Sequence, residues 1–387
     1  MGKLIRKATG LTVGVATLLA GLVLPMTASA ESASPIDASP IIHYSFDNAL
    51  TSKTIANEGS AANSDATLSG DATVANGQIS LTGSQTISVP TTAIAGKKDV
   101  TVSIWLKNNY GNGNTAAAYI GAAKTGNYPA NGYWLLNPAN PSGYAKSVMT
   151  NATAADPNNS PWGTEVGPGS TNAATTGTKA TSDLALYTTV ISGTNSTMSF
   201  YLNGKQVGDV TYTIPAGGLT NYGDLVAYIG KSSYADPNSK LDVDDYAVYD
   251  TAISAADVTK LYDAQVLDKA EAAVKAAVPA SATEDFALPT SAAGVSIAWK
   301  SDNAAIAVDN ATGKATVTRP AATAADAEVT LTATFGNNAK TAAYTVLVPK
   351  QLSDAEQAKA DLDAVTIEDS DDIRSNFSVP TKGNNGS

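Results

Sequence analysis

Four aromatic side chains stand in stretches that are otherwise polar and rich in glycine: Trp162, between Asn151 and Asp183, and Tyr110, Tyr128 and Tyr222 among Asn and Gly neighbours. An aromatic ring in such a setting has few apolar neighbours to bury it, so it offers a flat face to a ligand. Flat faces joined to amides suit sugars, whose C–H faces stack on rings while their hydroxyls pair with side chains such as Asn127 and Asn131. Loop aromatics also fold back on their own domain, and both roles stay open at these positions. Trp105 faces away from the aliphatic side of its strand, where a structural indole and a ligand platform are again both open. Trp299 alternates with Val295 and Ile297 and reads as core.

Catalytic chemistry has little material. His43 is the single histidine and lies on a strand, which leaves no set of residues for a Ser/His/Asp triad and favours a structural role. Asp242 and Asp244 share a strand face, as an acid/base pair would, but they sit in an Asp-rich run whose structural reading is the stronger one. The expectation is a chain that is not itself an enzyme.

The elements that must position these residues follow from pattern. Over 387 residues the net charge is −11, which argues against nucleic acid or anionic lipid as partner. Lys3, Arg6 and Lys7 precede the apolar run Ala8 to Leu24, and Ala28-Ser29-Ala30 supplies a cleavage pattern, so residues 1–30 read as a secretion signal. After its removal no membrane insertion is expected, and the mature chain is read as a secreted monomer. It has no cysteine, so its stability rests on its core and on any bound ion.

Beyond a linker at 31–40, short alternating runs separated by Gly, Asn and Ser continue to about Tyr249, the pattern of an all-β sandwich. Val100, Val102, Ile104 and Leu106 share one face, and Asn203-Gly204 marks a tight hairpin. Ser254 to Asp257 caps a helix carrying Val258, Leu261, Tyr262 and Val266, and an Ala-rich helical spacer runs roughly from Asp268 to Val278. Strands return up to Val348, which suits a small immunoglobulin-like sandwich, and Ser353 to Glu356 is a capping box for a second spacer.

Ile42 to Asp47, Val100 to Leu106, Phe200 to Val207 and, most specifically, Val243 to Ser254 together resemble a laminin G-like domain of the concanavalin A-like lectin and glucanase superfamily, over residues 41–265. Phe286 to Thr290, Trp299 to Asp302 and Thr312 to Val317 resemble the atrophied bacterial immunoglobulin-like repeat, over 266–349. The Phe286 motif recurs as Phe377 to Thr381, so residues 350–387 read as a spacer and the start of a second repeat, and the chain as the N-terminal part of a longer protein.

These resemblances imply a concanavalin A-like jelly roll, a small immunoglobulin-like sandwich and short helical spacers. They also imply a non-catalytic carbohydrate-binding accessory region of a secreted arabinofuranosidase- or xylosidase-type glycoside hydrolase, with neutral arabinose- or xylose-containing glycans as partners. An extracellular adhesion or spacer protein, held at the cell surface by later sequence, and a module that only supports a neighbouring catalytic domain are the alternatives. The glucanases of the superfamily carry alternating Glu, Asp and Glu on one strand, a motif this chain lacks. Laminin G-like domains often hold one Ca²⁺, and Asp47 and Asp244 occupy the matching stretches.

Overall fold

The structure is a computed structural model that describes residues 36–125, 128–129, 132–150, 161–209, 211–336 and 340–364. The expected secretion signal, Asn127, Asn131 and the second Phe motif lie outside the described residues.

Two antiparallel sheets pack face to face, so the fold is all-β as the patterns imply. One sheet runs in the order Lys205–Gln206, Thr197–Leu202, Ala185–Ser192, Asp99–Asn108, Lys240–Tyr249, Gln78–Thr82 and Thr73–Ala75, with Ile42–Tyr44 on Lys240–Tyr249 and Tyr212–Thr213 on Thr197–Leu202. The other runs Glu165–Val166, Lys146–Thr150, Tyr133–Asn137, Ala118–Ala122, Leu225–Ile229, Thr86–Val89, Ala66–Ser69 and Thr54–Ile55. Between them lies the core, to which Val100, Val102, Ile104 and Leu106 contribute one face of their strand as the alternation requires. At the hairpin, Asn203 and Gly204 take φ 51° and 74°, the left-handed pair that a tight turn of matching twist needs.

Part of the outward face of the first sheet is covered by a helix. Helix α1, Ala255–Ala277, starts at Ser254, whose side chain accepts from the Asp257 amide. It lies over Trp105, while Thr101 on the same strand face is tied to Thr251 and Ile253 just before the helix. Trp105 donates from Nε1 to Gln265 Oε1 at 2.9 Å and stacks on Tyr262 at 5.9 Å, so its role is structural. The expected capped helix and Ala-rich spacer are thus one helix of 23 residues. Residues 255–277 hold no Gly or Pro to break it, and the stretch read as a spacer buries Ala270 and Val274 in the core of the second domain.

That second domain is a small sandwich of two sheets. One holds Phe286–Ala287, Lys314–Val317 and Ile306–Asp309; the other holds Ser291–Ala292, Val295–Ser301, Ala327–Phe335 and Lys340–Val348. Trp299 is in its core, donating to the Pro289 carbonyl at 2.8 Å. Ala293 and Val295 reach back to pack beside Trp105 and Val266, and Lys340 pairs with Asp268 and Glu271 of α1. Beside α1 a cleft of about 1280 Å³, lined by His43, Asp47, Asp244, Tyr249 and Lys269, remains, and among the described residues no helix covers the outward face of the eight-stranded sheet. Helix α2, Asp354–Asp363, begins with the expected capping box, Ser353 with Glu356.

Candidate functional site

On the strand Tyr133–Asn137 the side chains divide by alternation: Trp134 and Leu136 enter the core, while Tyr133 and Leu135 face outward. Outside they meet Tyr119 and Val148 from the flanking strands, with Tyr228 and Tyr234 packed against them. This aromatic floor continues into a cleft of about 620 Å³ walled by Trp162, Tyr234, Asn140, Lys146, Glu165 and Asp236. Trp162 meets Tyr234 edge-on at 5.8 Å, and Tyr234 meets Tyr133 edge-on at 5.4 Å. Trp162, on the short 3₁₀ turn Pro161–Thr164, and Tyr234 remain half-buried, so both present ring surface to the cleft.

Glu165 holds this corner together. It is 6% exposed, and its Oε1 accepts from the Tyr133 hydroxyl at 2.7 Å. Its Oε2 takes the Thr171 amide and hydroxyl, each at 2.9 Å, and lies 2.7 Å from Lys146 Nζ. The carboxylate thus ties two strands, the Thr171 turn and the floor together three residues after Trp162. Both of its oxygens are thus committed to holding the fold. Burial pushes the Tyr133 phenol well above its ordinary value, and the nearby Glu165 charge adds to that, so Tyr133 stays a donor. Burial also raises the Asp236 carboxyl, while the Lys146 charge opposes the rise. Asn137 and Asn140 line the cleft but their amides are taken by backbone groups: they donate to the Gly113 and Ala174 carbonyls and accept from the Ala139 and Ser142 amides.

Among the residues singled out from sequence, the structure brings Trp162 into this cleft. Tyr110 lies apart from it, with its ring over Gly113. Tyr128 falls in the two-residue strand Tyr128–Pro129, paired with Lys124–Thr125. Tyr222 has no face to offer: it is 1% exposed in the core, with its hydroxyl donating to the Thr150 carbonyl at 2.9 Å. Its Gly and Asn neighbours mark the turn Gly218–Tyr222 that swings the ring inward, where the expectation was a ligand-facing loop. Tyr133, Tyr234, Lys146, Glu165 and Asp236 were not foreseen. The available signal was the strand Tyr133–Asn137, apolar on both faces, which requires cover on its outer side as well.

A second group of charges lies where Lys240–Tyr249 bulges, at Asp245 with φ 44°. Lys269 of α1 pairs with Asp244 Oδ1 at 2.7 Å and with Asp245, and His43 Nε2 lies 3.0 Å from Asp245 Oδ1. This gives His43 a structural role. Burial, then Asp245, then Asp47, push Asp244 up to about 7 despite Lys269. Burial pulls the His43 imidazole down, but the Asp245 hydrogen bond and charge outweigh it and leave His43 above its ordinary value. Asp242 accepts from Ser80 at 2.7 Å and from Asn109 at 2.9 Å, so it and Asp244 have separate structural partners. Asp47 and Asp244 do border one space: a Cβ at Gly77 would meet Asp47 Oδ1 at 3.1 Å and Asp244 Oδ2 at 3.9 Å. Two carboxylates around a cradle that only glycine leaves open fit a hard cation. No group of three acidic, His or Cys side chains suited to a metal is present among the described residues.

Comparison with known proteins agrees with these two sandwiches. Residues 81–259 match the concanavalin A-like lectin/glucanases superfamily, and residues 266–351 match the atrophied bacterial Ig domain. Each sandwich thus matches one domain model, a concanavalin A-like one and then a bacterial immunoglobulin-like one. Similar solved structures include domain 4 of a GH43 extracellular arabinanase from Geobacillus stearothermophilus in complex with arabinotriose, at 19% identity and a TM-score of 0.40, covering 58% of this chain and 98% of that one. The Trypanosoma rangeli sialidase is 12% identical with a TM-score of 0.40, covering 59% of this chain and 33% of the sialidase. The receptor-binding domain of botulinum neurotoxin mosaic serotype C/D is 16% identical with a TM-score of 0.40, covering 79% of this chain and 72% of that one. No curated protein matches the chain. Among the described residues no helix is long and apolar enough to cross a membrane.

Proposed function

We propose that this concanavalin A-like domain is a non-catalytic glycan-binding module of a secreted protein, the accessory region of a glycoside hydrolase, with the cleft between Trp162 and Tyr234 as its site. The observation that carries the reading is the cleft itself: half-buried rings beside an aromatic floor, with Lys146 and Asp236 at its edge, whereas the wider cleft beside α1 is rich in charged side chains. Catalysis is the weaker reading because hydrolysis by a carboxyl pair needs one group as acid and the other as base or nucleophile, and Glu165 is held by Tyr133, Thr171 and Lys146. Neutral arabinose- or xylose-containing polymers are the proposed targets, by resemblance and by the acidic balance of the chain. Tethering to them raises the local substrate concentration for a linked enzyme.

Titration of neutral oligosaccharides into the wild-type chain, with a reducing-end assay on the same samples, tests this. Binding without release of reducing ends is expected. Trp162→Ala should weaken it at least about tenfold, the order of one lost stacking contact, with the circular dichroism spectrum unchanged. Release of reducing ends, or unaltered binding by Trp162→Ala, would contradict the assignment.

For the Gly77 cradle we propose calcium, held by Asp47 and Asp244 with backbone carbonyls. Millimolar calcium should raise the melting temperature of the wild-type chain and leave that of Asp47→Asn unmoved. An equal rise in both would place the ion elsewhere.

A further inference from the structure

Within the cleft, most polar groups are committed to the fold and a few are not. Lys146 Nζ has one anionic contact, Glu165 Oε2 at 2.7 Å, and an ammonium carries three donors. Asp236 is exposed, and among the described residues it makes no ion pair or hydrogen bond, although it feels the Lys146 charge. The two therefore stand farther apart than a salt bridge and close enough to act on one molecule. The Tyr234 hydroxyl, near that of Tyr133, is buried without a well-formed hydrogen bond. A donor and an acceptor thus line the same cleft as the Trp162 and Tyr234 rings.

Charge decides which sugar this suits. Lys146 and Glu165 cancel, which leaves Asp236 as an uncompensated negative charge at the rim. A carboxylate on the ligand would have to approach it while Lys146 is already held by Glu165, and like charges without a counterion repel. A neutral sugar meets no such cost. One of two adjacent hydroxyls accepts from Lys146 and the other donates to Asp236, with the ring's C–H face toward Trp162.

We propose that the cleft selects uncharged sugars with adjacent hydroxyls, bridged between Lys146 and Asp236, and excludes uronic and sialic acids. This rests on the reading of the cleft as a glycan site and makes Asp236 its specificity-determining residue. Asp236 bears no part of the fold, so its substitutions should leave folding intact, which a thermal melt verifies.

The test titrates xylotetraose, a galacturonic acid tetramer and sialyllactose into the wild type, Asp236→Asn and Asp236→Lys. The wild type should bind only the neutral sugar, Asp236→Asn should bind it about tenfold more weakly, and Asp236→Lys should gain at least tenfold for an acidic one. Wild-type binding of the acidic sugars as tight as of xylotetraose, or unchanged xylotetraose binding by Asp236→Asn, overturns this selection and leaves a glycan module standing. A folded wild type that binds none of a wider panel of neutral and acidic glycans overturns both.

Discussion

Replacing Glu165 with alanine is expected to lower the melting temperature of the concanavalin A-like domain by roughly 10 °C and to abolish binding at the cleft. The carboxylate is buried, and its removal strands three partners at once. Lys146, with its side chain 13% exposed, keeps a charge that has no counterion. The Tyr133 hydroxyl loses its acceptor, and the Thr171 amide and hydroxyl lose theirs. Breaking one side of a buried ion pair costs about 3–5 kcal/mol, and at this domain size each kcal/mol shifts the midpoint by about 2–4 °C. Glu165→Gln, which keeps an acceptor for Tyr133 or Thr171 but not the charge, should fall between. Because Trp162 lies three residues upstream on the same tether, binding should fail even below the melting temperature. Calorimetry beside titration measures both. A Glu165→Ala midpoint within about 2 °C of wild type, the equivalent of about 1 kcal/mol, would mean that the network does not hold the corner.

The charge group at the bulge predicts an unusual dependence of stability on pH. A carboxyl whose folded pKa is raised binds its proton more tightly when folded, so its contribution is fully present below the unfolded value and is lost as pH rises through the folded one. For Asp244 that window runs from the ordinary carboxyl value of 3.8 to about 7. His43, raised above 6.5, acts in the same sense: its contribution is present below that value and lost as pH rises through the higher folded value. Asp245 is lowered, chiefly through His43 and Lys269 against the opposing effect of burial, so its contribution is lost only in acid below this window. In calcium-free buffer the melting temperature should therefore fall from pH 5 to pH 8. Asp244→Asn should flatten most of that slope, since the amide cannot ionise. Lys269→Met should steepen it, because both aspartates then lose their buried cation, at a cost of about 3–5 kcal/mol at pH 8. A wild-type profile flat across this range, or an identical slope in Asp244→Asn, would show that these groups do not govern the domain's pH response.

Much of the architecture is legible in the chain because its signals are local. The alternation from Val100 to Leu106, the Asn203-Gly204 turn and the cap at Ser254 each depend on residues a few positions apart, and each stands where its pattern puts it. The capping box at Ser353 and the core indole of Trp299 are of the same kind. The site is legible only in part, since Tyr133, Lys146, Glu165 and Tyr234 come from four separated segments and meet only once the sheet has formed. Trp162 was visible because nothing near it in sequence could bury it. The same reasoning misplaced Tyr222, whose glycines bend the chain inward to a partner at Thr150, far away in sequence. The helix divided in two on a change of composition is continuous because its two halves bury different partners, Trp105 on one side and the core around Val274 on the other.

The most direct measurement is a crystal structure of the chain grown with the neutral oligosaccharide that it binds best. Sugar is expected in the cleft, one ring against Trp162 or Tyr234 and hydroxyls within hydrogen-bond distance of Lys146. Sugar bound on another face of the domain, with this cleft free of it, would contradict the account.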